Sequence, residues 1–97
     1  MMCGGVKAAQ AATDEVKALC EQLKADMVSQ AGSEFEEFAA ISYSSQVVAG
    51  TNFFIKIKTG ASDYIHARVH RPLPGQGEAS LHSIQAGKTL EEPIAHF

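Results

Sequence analysis

About a third of the way along this chain, the spacing of its apolar residues changes from a helical period to a strand period. Val16, Leu19, Cys20, Leu23 and Met27 recur at i, i+3, i+4, i+7 and i+11, which is one continuous stripe on an α-helix. Thr13 is the expected N-cap, and Asp14 and Glu15 put negative charge in the first turn, where the helix dipole favours it. Gly32 with Ser33 supplies a stop. The pattern predicts one helix over 13–30, roughly 27 Å long at 1.5 Å per residue.

Beyond it the period is two. Phe53, Ile55 and Ile57 alternate with Phe54, Lys56 and Lys58, which predicts a strand with one buried and one wet face. Ile65, Ala67 and Val69 alternate with Tyr64, His66, Arg68 and His70 in the same way, and residues 59–63 between them have the composition of a hairpin loop. A third strand is expected over 38–45, where Ile41 and Tyr43 alternate with small residues, and a fourth over 79–85. Pro72-Leu73-Pro74-Gly75-Gln76-Gly77 forbids a regular strand and marks a break. Residues 1–12 read as a flexible or extended arm, and the stretch after Gly87 as a looser tail. A lone helix stripe needs a surface to cover it, and a meander of antiparallel strands offers one. The expected fold is α+β, one long helix packed on a four- to five-stranded antiparallel sheet.

Ninety-seven residues suffice for one core and not for two, so a single domain over 1–97 is expected. The formal net charge is −3, and the eight basic residues are dispersed, which leaves no footprint for nucleic acid. No apolar run approaches the ~18 residues that cross a bilayer. The amino terminus has no charged-then-apolar leader, and a cytoplasmic location is expected. Signals for catalysis or metal binding are poor. His66 and His70 share a strand face but stand roughly 13 Å apart, too far for one ion. His82 and His96 have no cluster around them. Cys3 lies in the arm without a fixed base, and Cys20 belongs to the helix stripe as a small buried apolar residue. The chain is read as a non-enzyme with no cofactor.

Two connections resist this bland account. Gln46-Val47-Val48-Ala49-Gly50 lies where a turn is required, yet carries two valines and an alanine. Either Val47 and Val48 extend the preceding strand, or they form an exposed apolar hairpin tip of the kind that marks a docking site. Leu73-Pro74 is an apolar pair in the next connection but one. Alternate loops of a meander emerge at the same end, so the two connections are expected to project together.

Those residues carry a resemblance. Gln46-Val47-Val48-Ala49-Gly50-Thr51-Asn52 is similar to the Q-V-V-A-G-T-N signature of the cystatins. The opening Met1-Met2-Cys3-Gly4 and the Leu73-Pro74 pair resemble the stefin branch, also called type 1 cystatins. The chain departs from that pattern at Val6-Lys7, where a proline is expected nearby, and at His96, where an aromatic residue is usual. The resemblance implies a reversible, tight-binding inhibitor of papain-like cysteine proteases, including papain and the lysosomal cathepsins. An amino-terminal trunk and two hairpin loops would occlude the active-site cleft. It implies a trunk of Met2, Cys3 and Gly4, a first loop of Gln46, Val47, Val48, Ala49 and Gly50, and a second loop with Leu73 and Pro74. The alternative is a self-associating module, in which the valine-rich hairpin straightens to give a domain-swapped dimer. Otherwise a monomer is expected.

Overall fold

In a computed structural model, residues 9–95 and 97 are described. Their order is β1 (Gln10–Ala11), α1 (Asp14–Ala31), β2 (Ala39–Val48), β3 (Gly50–Lys58), β4 (Tyr64–Arg71) and β5 (Ser80–Lys88). The strands form one antiparallel sheet in sequence order. No helix of the described residues is long and apolar enough to cross a membrane.

The helix begins and ends where its caps dictate. Thr13 is extended and its Oγ1 accepts from the Val16 amide at 3.2 Å, while Gly32 adopts φ +80° and donates to the Val28 carbonyl. Each end thus satisfies a backbone group the helix itself leaves open. The five stripe residues are all buried. They pack with Phe53, Ile55, Ile57, Ile65, Ala67 and Val69 in one core, which the alternation in β3 and β4 turns toward α1. Cys20 is a free thiol in that core, and burial, reinforced by Glu21, pushes its pKa up to about 12.

In β2 the simple alternation fails at one residue. Ala40 pairs with Ile57 and Ser42 with Lys56, leaving Ile41 as an extra residue in a bulge. Ala40 and Tyr43 therefore both pack against the core, although they stand an odd number of positions apart. The Ile41 carbonyl accepts from the Ala12 amide at 3.1 Å, tying the chain after β1 to the bulge. The end of the arm is thus extended: Gln10 and Ala11 pair with Tyr43 and Ser42. The last strand runs further than expected, to Lys88, past Gly87 at φ +71°.

The second face of the sheet is not wet. Phe54 is fully buried and Lys56 is 4% exposed, because the segment after β5 folds back across this face. Phe97 meets the Phe54 ring edge-on at 5.8 Å, and the Arg68 guanidinium binds the Phe97 carbonyl. The Lys56 ammonium donates to the carbonyls of Leu90 and Glu92, both at 2.5 Å. The Lys56 pKa is lowered by desolvation, with Glu92 and Glu91 acting in the opposite sense. The sequence pattern marked Lys56 as solvated, but a buried ammonium is tolerated when backbone carbonyls replace its water. His66 lies on the same face, 1% exposed.

Candidate functional site

Antiparallel order places three features at one end of the sheet: the β2–β3 turn, the β4–β5 connection and the amino-terminal end of β1. Val47 pairs with Thr51 and Val48 with Gly50, so only Ala49 lies outside the ladder. Both sequence alternatives for the valines hold together. They extend β2, and they remain exposed at 58% and 42%. Leu73 is 52% exposed, so three of the four large apolar side chains exposed among the described residues sit at this end. Two exposed valines therefore flank a one-residue turn and, with Leu73, leave apolar surface bare at this end.

Gly50 explains how the tip is joined to its neighbour. Its φ is +97°, and a Cβ there would stand 2.4 Å from the Arg71 carbonyl oxygen and 2.9 Å from the Pro72 Cα. Only glycine supplies both that dihedral and that closeness. The β2–β3 tip therefore rests against the start of the β4–β5 connection. Val47, Val48, Gly50, Pro72, Leu73 and Pro74 line one shallow groove. The second connection is itself turned at its apex, where the Gln76 amide donates to the Leu73 carbonyl at 2.9 Å.

Residues 47–50 and 72–77 carry no charged side chain. Arg71 also lines the groove; its guanidinium pairs with the Glu15 carboxylate in the first turn of α1 and lies 5.0 Å from the centre of the Phe53 ring. An exposed pair of this kind contributes little to stability, on the order of 0–1 kcal/mol. Its consequence is positional, since it ties the start of α1 to the strand that leads into the second tip. On the opposite face, Asn52 donates to Gln46 Oε1 at 3.1 Å, and His70 Nδ1 lies 2.8 Å from Asn52 Oδ1.

Of the residues expected at the site, Gln46, Val47, Val48, Ala49, Gly50, Leu73 and Pro74 come together at this end. Met2, Cys3 and Gly4 lie outside the described residues. β1 runs antiparallel to β2, so Gln10 lies toward the hairpin end relative to Ala11. Arg71 carries no signal in the sequence, where His70 reads only as a strand-face residue and Asn52 only as the last residue of the seven-residue motif. The signal of these two was present in the register, because strand alternation puts 46, 52 and 70 on one face, but only the pairing reveals that they stand in a row.

Comparison with known proteins follows the same lines. The cystatin domain matches residues 4–91. The chain is 40% identical to Cystatin-B of Oplegnathus fasciatus over 98 aligned positions, covering all of this chain and 98% of the relative. It is 38% identical to Cystatin-B of Mus musculus and 37% identical to Cystatin-B of Homo sapiens, in each case over the whole of both chains.

Proposed function

The chain belongs to the cystatin family, a family of cysteine-protease inhibitors, and from that premise we propose that it inhibits papain-like enzymes reversibly by occluding the active-site cleft. The observation that carries this reading is the pair of uncharged tips held against each other at Gly50. A papain-like cleft contains a thiolate and an imidazolium. A charged loop pressed onto that pair would be stripped of water without assured compensation. Val47, Val48 and Ala49 present apolar area instead. Pro74 restricts the second tip, so less freedom is lost on docking.

In this reading the trunk residues Met2, Cys3 and Gly4 occupy the substrate-binding side of the cleft. The first tip is Gln46 to Gly50 and the second contains Leu73 and Pro74. The direction of β1 supports the trunk's share, since the chain enters the sheet from the tip end. Protease–inhibitor interfaces bury about 1,600 Å² in total. Nanomolar affinity corresponds to about −12 kcal/mol, a total that a few well-packed anchors dominate when the tips are set beforehand. The inhibitor acts as a monomeric domain spanning 1–97, in the cytoplasm, on lysosomal-type cathepsins as well as papain.

Occlusion requires no bond to the catalytic sulfur. Titration of active papain with the intact chain is expected to give one-to-one, reversible inhibition, and a chain beginning at Gly5 should dissociate markedly faster. Papain whose thiol carries a small alkyl group should still bind. Full protease activity at a large excess of the intact chain would refute the proposal.

A further inference from the structure

Asn52 is 8% exposed, and its amide is held from both sides. Gln46 stands opposite it on β2 and His70 opposite it on β4, so the three side chains form a row across the sheet on the face turned away from α1. Asn52 Nδ2 donates to Gln46 Oε1 at 3.1 Å. That leaves Asn52 Oδ1 as the acceptor for His70, 2.8 Å from its Nδ1, and the proton therefore sits on Nδ1. The row is one rung below the Val47–Thr51 pair and two below Val48–Gly50. At its other end, His70 precedes Arg71, whose carbonyl oxygen packs under Gly50. The row thus links the base of the first tip to the strand that carries the second.

We infer that His70 is a positioning residue for protease binding: its Nδ1–H orients the Asn52 amide, which fixes Gln46 and sets the spacing of the two tips. The inference rests on the occlusion proposed above and specifies how that site is kept in shape. It also gives Gln46 a different part from its neighbours, since its amide oxygen is engaged along the sheet while Val47 and Val48 stand free of it. Removing the His70 donor takes the partner from a buried acceptor, and the amide is then released from the orientation that serves Gln46.

Two substitutions of similar size separate positioning from packing. His70→Asn places an amide N–H where Nδ1 stands, whereas His70→Leu supplies no donor. The displacement rate of each from papain is expected to rise about tenfold for His70→Leu and to stay within about threefold of the parent for His70→Asn. Amide exchange at residues 47–50, read without protease, should accelerate for His70→Leu and not for His70→Asn. Parent-like exchange and dissociation for His70→Leu would overturn the positioning role while leaving occlusion intact. Equal acceleration in both variants would overturn it as well, because size and not the donor would then matter. If the parent chain itself failed to inhibit papain, the proposed function would fall, and the exchange measurement would still decide the row.

Discussion

Gly50 and Arg71 approach so closely that a methyl group on Gly50 would stand 2.4 Å from the Arg71 carbonyl oxygen. Gly50→Ala must therefore either twist the turn out of φ +97° or push the two connections apart. The expected loss is about 2–3 kcal/mol, combining a left-handed dihedral with a steric clash. Gly75 has φ +82° but open space around its missing Cβ, so Gly75→Ala should cost only about 1 kcal/mol. Urea unfolding of the two variants checks the difference, and papain titration should place the larger loss of inhibition with Gly50→Ala.

Val48 is 42% exposed, so an aspartate there leaves the fold almost unaltered. Against a protease cleft the same carboxylate must shed its water with no partner supplied. Val48→Asp is expected to weaken inhibition by about 3 kcal/mol or more, over a hundredfold, with a stability change within about 0.5 kcal/mol. Kinetics of papain inhibition and a urea curve on the same sample test the two halves. Equal inhibition by both forms would place the valine outside the contact.

His66 is buried on the sheet face covered by the carboxyl-terminal segment, and its Nε2 has no hydrogen-bond partner among the described residues. Burial first, then the positive charges of Lys56 and Lys88, push its pKa down to about 4, against an opposing pull from Glu92. The fold holds the neutral ring, whereas the unfolded chain takes up a proton near its ordinary value of about 6.5. Stability is therefore full above that value, declines as pH falls toward 4, and levels off below it, with a ceiling of about 3 kcal/mol. Glu92, whose carboxylate is held below its ordinary value chiefly by the Lys88 hydrogen bond, loses its contribution at the acid end in the same sense. Urea midpoints measured from neutral pH down through this window should slope for the parent chain. His66→Leu should flatten most of that slope.

Lys56 fastens the same segment through the Leu90 and Glu92 carbonyls. Lys56→Met keeps the apolar stem and removes both donations. It also removes the cost of desolvating the ammonium, so global stability should change by less than about 1 kcal/mol while the segment comes loose. Hydrogen exchange over residues 89–95, or trimming by carboxypeptidase, should accelerate severalfold. Unchanged protection would show that the Phe54–Phe97 contact suffices on its own.

The helix was legible in full because its signals are local: an N-cap hydroxyl, a stripe and a left-handed glycine act within one element. The alternation of β3 and β4 likewise declared which residues face α1. What it could not declare is that the other face is covered too, since the cover comes from Leu90, Glu92 and Phe97, more than thirty positions after Lys56. A lysine reads as solvated until the chain that replaces its water is known. At the site, Val47, Val48 and Leu73 stood out as apolar residues where turns are usually polar. His70 and Arg71 did not, because each looks like an ordinary strand residue until the register sets its neighbours, and Asn52 was marked only as the end of the motif. The bulge at Ile41 was hidden for the same reason.

That bulge sets the phase between the first residues of β2 and the stretch that leads to the hairpin. Ala40 and Tyr43 can both face α1 only because one surplus residue at Ile41 shifts the count. Losing a single codon between 42 and 46 would transpose inner and outer side chains along that stretch, or force the hairpin apex to slide. Length there is as tightly fixed as identity, and variation among natural or engineered versions should arrive as replacements in that segment, with insertions and deletions confined elsewhere.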